Sequence, residues 1–522
     1  MNVDVIIVGL GPTGVTLAAL LGQHGVRVAA FDKLPDLYPL PRAIGLDHEV
    51  MRIVQELGVA DEVLKHTAPY RPSEYRGMEG QLIKRLDMAP PPFRLGWAPN
   101  YVFEQPAFEG ILRRRLDELD SVAVHLEAEV LGQGQNADSA WVDVRLRGED
   151  TATRYSAKYL IACDGGASPI RTRLDIQLED LNFHEPWLVV DAIVNDEKLA
   201  DLPQTQVQYC EAGRPSTFVV LPGNHRRWEI MLLPGDSVSP QFPENELWPL
   251  LERWITPGDG KIWRAAAYRF HGLVAQEWRR GRILLAGDAA HMTPPFMAQG
   301  MAQGLRDAQN LTWKLERVLS GASEPGLLDS YMNERRPHVI ETTMTAIELG
   351  RVICERDPKL ARERDARLIA EQGGQVRTMA RQNMIPPLKH GLIAPASPGA
   401  GTLFPQPNVS SGDFDGRVDD LTGRQIRVAV VGDLRDELEA AFLKALQPVG
   451  GSLIRFGSTA TAASPIIHVE ERDGVMSSWL ASMGQTVAIA RADNYVYGTA
   501  PEPGQGLELL QELVGKLTQG AP

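Results

Sequence analysis

The sequence predicts an α/β protein of several domains, and three observations carry that reading. The chain opens on an apolar strand, a glycine-rich turn, a helix and a second strand; its middle changes to extended stretches rich in Val, Thr, Phe, Tyr and Trp; and a Pro- and Gly-rich connector precedes a smaller α/β pattern. With 522 residues and 43% hydrophobic content, the chain can bury more than one core.

Residues 3–8 (VDVIIV) read as a strand, residues 13–24 as a helix and residues 26–31 as a second strand, which together make one βαβ unit. Apolar residues on both faces of the first strand predict a parallel strand covered by helices on both sides. Residues 3–22 carry Asp4 as their sole charge, yet they lack the basic lead of a signal peptide. Gly9, Gly11, Pro12 and Gly14 would interrupt a membrane helix, so neither export nor a membrane span is expected. Residues 216–221 and 228–233, separated by Pro222, Gly223 and Asn224, read as a hairpin of an antiparallel sheet. After Asp329, helical stretches lead to a connector at 395–401, with more turn residues through Gly416, and a domain boundary is placed there. Beyond it, strand-like 426–431, helical 435–445 and strand-like 486–490 suggest a small α/β unit.

The net charge is -14, from 53 Lys and Arg against 67 Asp and Glu, which disfavours nucleic acid or an acidic membrane surface as partner. Cys163, Cys210 and Cys354 lie far apart without paired spacing. That pattern suggests no disulfide framework and no structural metal site, and it fits a reducing, cytoplasmic compartment.

Three separated motifs point to chemistry. The first, Gly9-Leu10-Gly11-Pro12-Thr13-Gly14, sits where a strand turns into a helix, with Asp32 at the end of the next strand. Glycine lets the backbone approach a pyrophosphate, the helix N-terminus stabilises its charge, and the carboxylate can take ribose hydroxyls. This predicts a Rossmann-like dinucleotide site without separating FAD from NAD. The second motif runs Tyr159 to Arg171, an apolar strand ending in Asp164-Gly165. The third runs Gly281 to His291, with Gly287-Asp288 closing a buried strand, then Pro294, Pro295, Gln299 and a helix opening at Gly300. A carboxylate at the end of a buried strand needs partners, and a ribityl chain offers hydroxyls. The helix beginning Gly300-Met301 aims free N–H groups at an anion such as the N1–C2 region of a reduced flavin.

Taken together, in this order and spacing over residues 1–340, these motifs resemble the fingerprints of the class A flavoprotein aromatic hydroxylases, the para-hydroxybenzoate hydroxylase superfamily. Phe103-Glu104-Gln105-Pro106, the segment Gly300 to Leu315 and the tail after Pro395 are similar to the 3-(3-hydroxyphenyl)propionate hydroxylase branch, with its resorcinol and polyketide hydroxylase relatives. The resemblance implies a Rossmann-like FAD-binding domain (1–180 and 265–345), an antiparallel β-sheet substrate domain (181–264), a helical linker (346–395) and a thioredoxin-like C-terminal domain (396–522). That last domain has no Cys-x-x-Cys, which implies a structural or assembly role. Gly9, Gly11, Pro12, Thr13, Gly14, Asp32 and Lys33 would hold the ADP half of FAD, with Arg42 and Gln105 reaching in from adjoining segments. Asp164, Gly165 and Arg171 belong to the motif linked to both FAD and NAD(P)H. Gly287 and Asp288 would hold the ribityl and pyrophosphate region, with Pro295, Gly300 and Met301 near the isoalloxazine.

The implied reaction hydroxylates a phenolic aromatic acid with NADH or NADPH, bound transiently, and O2, through a C4a-hydroperoxyflavin that water destroys. The site must therefore be closed and largely apolar around the flavin. A phenol reacts faster as its phenolate, and His48, Tyr209, His225 and Tyr268 are the sequence's nominees for a proton relay. Arg214 is nominated for a substrate carboxylate, and Pro294 and Pro295 for substrate contact. A homodimer is compatible with the family. The competing readings are a resorcinol or polyketide phenol hydroxylase of the same family, a halogenase or reductase that inserts no oxygen, and a flavin-binding redox sensor.

Overall fold

Strand Val5–Val8, fully apolar, lies inside a six-stranded sheet whose order is Arg279–Arg280, Ile283–Leu285, Tyr159–Ala162, Val5–Val8, Val28–Phe31, Val122–His125. All neighbours pair in parallel except Arg279–Arg280. Val5, Ile6 and Ile7 are buried, as the doubly covered strand requires. The helix Pro12–Gln23 starts on a proline, whose missing N–H costs nothing in a first turn, and it packs against the long helix Gly300–Leu319. The computed structural model describes residues 3–239, 242–457 and 466–518.

The hairpin expected around Pro222–Asn224 is present as Ser216–Val220 and His225–Met231. It belongs to a nine-stranded sheet ordered His291–Met292, Gly260–Ala275, Leu178–Val194, His225–Met231, Ser216–Val220, Gln206–Tyr209, Ser73–Arg76, Leu82–Asp87, Thr378–Ala380. Strands from residues 73–87 and 378–380 thus extend the layer beyond the 181–264 segment expected from the chain. Alternation splits this sheet into two faces. One face sends Leu188, Val190, Phe218, Trp228 and Ile230 into a core closed by the helix Glu244–Leu251 and Trp254. The register places Asp191, Arg227, Val219 and Gln206 in one row of the opposite face, with Val189, Glu229, Thr217 and Gln208 in the next. That polar face looks towards the dinucleotide-binding half.

Residues 346–395 are only partly helical. The helix Asp329–Cys354 runs through the first of them, Pro358–Glu371 follows, and Thr378–Ala380 then joins the sheet edge. The C-terminal unit is a seven-stranded mixed sheet with Arg427–Val431 near its centre, and helices Asp436–Leu446 and Pro503–Thr518 cover one face. The loop between its last two strands is pinned to the first half of the molecule. Arg491 donates to both oxygens of Glu334, at 2.9 and 2.7 Å, and Lys314 Nζ donates to the same carboxylate at 2.7 Å. Four residues further on, the Tyr495 hydroxyl donates to Glu49, whose other oxygen binds Arg306. Among the described residues no helix is long and apolar enough to cross a membrane, and no group of three or more His, Cys, Asp or Glu could hold a metal ion.

Candidate active site: a dinucleotide cradle opening into a small chamber

The glycine turn is fixed by what surrounds it. Gly9 sits at φ +96°, and a Cβ there would strike the Cys163 carbonyl; a Cβ on Gly14 would strike the Gly9 carbonyl. Both clashes are with backbone, so strand and helix could not close on larger residues. Gly11 faces open space, and no side chain caps the helix that follows, which leaves its first N–H groups for a ligand.

Asp32 closes the turn from below: Oδ2 accepts the Leu10 N–H at 2.7 Å and Oδ1 the Leu34 N–H at 2.8 Å. Lys33 beside it is exposed. The segment 41–43 is clamped from two sides. Gln105 Oε1 accepts the N–H groups of Arg42 (2.9 Å) and Ala43 (2.5 Å). Arg227 donates to the carbonyls of Arg42 and Pro41, and Arg264 also donates to Pro41. Arg42 is thereby held over the ring of Tyr38, at the lip of a cavity of about 320 Å3.

Asp288 forms another wall of that cavity. Its carboxylate is exposed where it opens into the space, yet protein surrounds it closely enough that burial raises its pKa. None of its described neighbours donates a hydrogen bond to it. Its turn is rigid: Asp307 Oδ2 accepts the Gly287 N–H at 3.0 Å and meets His291 Nε2 at 2.7 Å, while Oδ1 accepts from Arg335 at 2.9 Å. Of the second motif, Gly165 lines the cavity, whereas Arg171 donates to the carbonyls of Ala289 and Gly166 and ties the two turns together. Asp164 accepts the Ile170 N–H with Oδ2, its Oδ1 is buried without a partner, and burial raises its pKa.

The turn Pro295–Met297 leads to Ala298 in a left-handed conformation (φ 53°, ψ 37°), then to Gln299 and the uncapped N-terminus of Gly300–Leu319. Pro295, Ala298, Gly300 and Met301 line the cradle. On the other side of Pro295 and Ala298 lies a chamber of about 50 Å3, which shares Ile44, Glu229, Pro295 and Ala298 with the cradle. Gln206, Gln208 and Thr217 form its polar wall, and Tyr70, Tyr101 and Arg381 stand opposite. Phe296 backs it with a ring cluster of Phe183, Trp187 and Phe270, centroids 5.7 to 5.9 Å from its own. A third cavity, of about 350 Å3, adjoins the chamber at Gln299 and Arg381 and reaches the C-terminal unit at Tyr495.

Several nominated residues lie elsewhere. Tyr209 is on the opposite face of the sheet, 4.3 Å beneath the Arg253 guanidinium and packed against Trp254, because its parity along the strand is that of Val207. His225 shares the parity of Glu229 but sits at the strand's start, with Nε2 at 2.7 Å from Asp191. The Tyr268 hydroxyl accepts from Arg264, and neither group lines the chamber. Arg214 is paired with Asp236 at 2.6 Å, outside the chamber. His48 lines the third cavity, and burial lowers its pKa to about 4, which keeps it neutral. Pro294 precedes the turn without lining either space. Sequence reasoning missed Glu229, Gln206, Gln208, Thr217 and Arg381. The first four could have been found by asking which face of each strand the alternation leaves polar.

The cradle fits a flavin dinucleotide: a glycine turn bare of side chains, an unpartnered carboxylate for polyol hydroxyls, and a second uncapped helix N-terminus beyond it. An FAD cradle adjoining a chamber lined by polar and aromatic side chains defines the class as a flavin-dependent enzyme. The FAD binding domain family matches residues 2–346, and the HcaD C-terminal domain family matches residues 401–515. The chain belongs to the para-hydroxybenzoate-hydroxylase-like class A flavoprotein hydroxylases and is an FAD-dependent aromatic monooxygenase. It is 36% identical to a probable NADH-specific resorcinol 4-hydroxylase of Rhodococcus jostii (strain RHA1), over 98% of this chain and 94% of the relative. It is 31% identical to a 3-(3-hydroxy-phenyl)propionate/3-hydroxycinnamic acid hydroxylase of Comamonas testosteroni, over 96% and 94%. Among solved structures, the flavin-dependent monooxygenase PieE with FAD and substrate superposes with a TM-score of 0.80 at 20% identity, covering all of both chains. Aklavinone-11 hydroxylase with FAD and aklavinone gives 0.77 at 20% identity, over 99% and 100%. At these identities the structures establish a shared fold.

Proposed function

We propose that this enzyme hydroxylates a small phenol, using O2 and NADH. The observation that carries the reading is the continuity of the two spaces: the flavin cradle and the chamber share Ile44, Glu229, Pro295 and Ala298 as a common wall. In this reading the free N–H groups after Gly11 would hold the pyrophosphate, Asp288 would take ribityl hydroxyls, and the N-terminus of Gly300–Leu319 would stabilise negative charge on the reduced ring. FAD, when bound, takes up hydride from the nicotinamide and activates oxygen. The protein's part is to clamp segment 41–43, orient the phenol between Pro295 and the polar wall, and keep water away with the Phe296 ring cluster.

Two substrate classes follow from the relatives, a phenolic acid and a resorcinol. The chamber favours the second. Arg381, the guanidinium on its wall, already donates to the Met297 carbonyl at 2.6 Å and the Tyr70 hydroxyl at 3.1 Å, while Gln206 is taken up by the Val220 backbone and the Gln208 amide N–H and Thr217 hydroxyl oxygen suit a neutral hydroxyl. The C-terminal unit reads as thioredoxin-like, without a cysteine pair and serving to brace the core. The division into 1–180 with 265–345, 181–264, 346–395 and 396–522 is kept as a domain proposal, with strands 73–87 and 378–380 lent to the second. A cytoplasmic homodimer without nucleic-acid or membrane partners goes with this reading, on the strength of the net charge of -14 and the unpaired cysteines. The test is a panel of resorcinols, phenolic acids and polyketide phenols with the FAD-loaded protein. The expected result is NADH oxidation accelerated by resorcinol, with a ring-hydroxylated product. A panel that yields no hydroxylated compound rejects the proposal.

A further inference from the structure

Glu229 is a buried carboxylate whose ion-pair contact among the described residues is a single long one. Its side chain is 6% exposed, on the wall shared by the cradle and the chamber. Its cross-strand neighbours are Val189, which cannot hydrogen-bond through its side chain, and Thr217, whose hydroxyl is given to Gln208 at 2.6 Å. The nearest cation, Arg227 Nη1, stays 4.0 Å away, because that guanidinium is committed to Asp191 and to the carbonyls of Pro41 and Arg42. No described residue donates a hydrogen bond to Glu229. A buried carboxylate with no donor is unfavourable, and its position at a ligand-sized space says where the donor comes from.

We infer that Glu229 accepts the hydrogen bond of the substrate's ring hydroxyl and takes its proton during oxygenation, and that its charge makes the chamber select an uncharged phenol over a phenolic acid. The inference rests on the phenol-hydroxylase reading above. In the step, the substrate O–H bond breaks and its proton passes to a Glu229 carboxylate oxygen. The freed electron pair forms a carbonyl, and a ring π pair bonds the attacked carbon to one oxygen atom derived from O2. The other oxygen atom leaves as water, with the two electrons supplied by NADH. The resulting dienone then loses the proton of the attacked carbon to water, its electron pair restores the ring, and the carbonyl oxygen recovers the proton from Glu229. One ring hydrogen has become a hydroxyl, and Glu229 ends ionised as it began.

The charged groups facing Glu229 pull in both directions. Burial and Asp191 raise its pKa while Arg227 and Arg264 oppose them, and the net direction is upward; Arg42, Arg381 and the Asp288 carboxylate are the other charged groups lining the two spaces. Activity should therefore rise with pH as Glu229 ionises.

The test compares the FAD-loaded wild type with Glu229→Gln and Glu229→Asp. Flavin content checks the fold, and binding is read from the perturbation of flavin absorbance by resorcinol and by 3-(3-hydroxyphenyl)propionate. Glu229→Gln is expected to keep its flavin, to lose about 100-fold or more in kcat with resorcinol and to lose the acid limb of the kcat–pH profile. Its binding preference should shift about tenfold towards the acid, and Glu229→Asp should restore part of the acid limb. If wild type hydroxylates resorcinol while Glu229→Gln keeps kcat, acid limb and preference, this inference falls and the phenol-hydroxylase reading stands. If wild type neither binds nor hydroxylates any phenol, both fall.

Discussion

Ala298 occupies a backbone conformation that L-residues avoid, at the point where the flavin cradle meets the substrate chamber. Its Cβ leans on Gly45, where an added Cβ would stand 3.0 Å away, so the neighbouring strand is shaped to receive it. Ala298→Gly should relieve the left-handed strain and raise unfolding stability by about 1 kcal/mol, read from denaturant midpoints; unchanged or lower stability would show the site is not strained. Asp288 is the other residue whose cost points to a ligand. Asp288→Ala should weaken FAD binding by about tenfold or more, the loss of hydrogen bonds to a charged group, measured by flavin release on dilution. The glycines and Asp288 were legible in the sequence because they answer to local geometry and to one cofactor. Alternation could have put Glu229 on the polar face, but its isolation was not legible, because that depends on the partners taken by Arg227 on its own strand and by Thr217 on the next, and one-dimensional spacing does not show them.

At the scale of elements, the site is a product of register. Because side chains alternate, the residues between Phe218, Trp228 and Ile230 must face the other way, and a one-residue slip would bury Arg227 and Glu229 in the outer core. The same tightness governs the first helix. Gly14→Ala would drive a Cβ into the Gly9 carbonyl, so the strand and helix must part. The expected outcome is a loss of roughly 1–3 kcal/mol in chemical denaturation together with lost flavin, whereas wild-type stability would show the turn can yield. The hairpin around Pro222–Asn224 could be read from its turn residues. The recruitment of Ser73–Arg76, Leu82–Asp87 and Thr378–Ala380 could not, because pairing between distant segments is decided by the packed whole. Tyr209 was nominated from the right strand and faces the wrong side for the same reason.

Across the whole molecule, the C-terminal unit is joined to the flavin half through charges buried at the interface. Burial pushes Glu334 up, but Arg491 and Lys314 outweigh it and hold its pKa down to about 2. A carboxylate whose pKa falls on folding adds stability that is fully present above its unfolded value of 4.5 and is lost as pH falls towards 2. Glu334→Gln leaves buried Lys314 without a counter-charge and Arg491 with Asp493 alone, and should cost about 3 kcal/mol at neutral pH, with the gap to wild type narrowing below pH 4.5 in urea titrations; a gap independent of pH would contradict this. The boundary near 395 was legible from its Pro and Gly content, whereas this docking, which unites residues as distant as Glu49 and Tyr495, was not. Everything in the account converges on one transfer of oxygen from a flavin held in the cradle to a ring held in the chamber. The direct test is turnover of the FAD-loaded enzyme with NADH and resorcinol under isotopically labelled O2, followed by mass spectrometry of the product. One labelled oxygen atom is expected in each hydroxylated ring; a product carrying oxygen from water, or NADH consumption that yields only peroxide, would contradict oxygen transfer from the flavin.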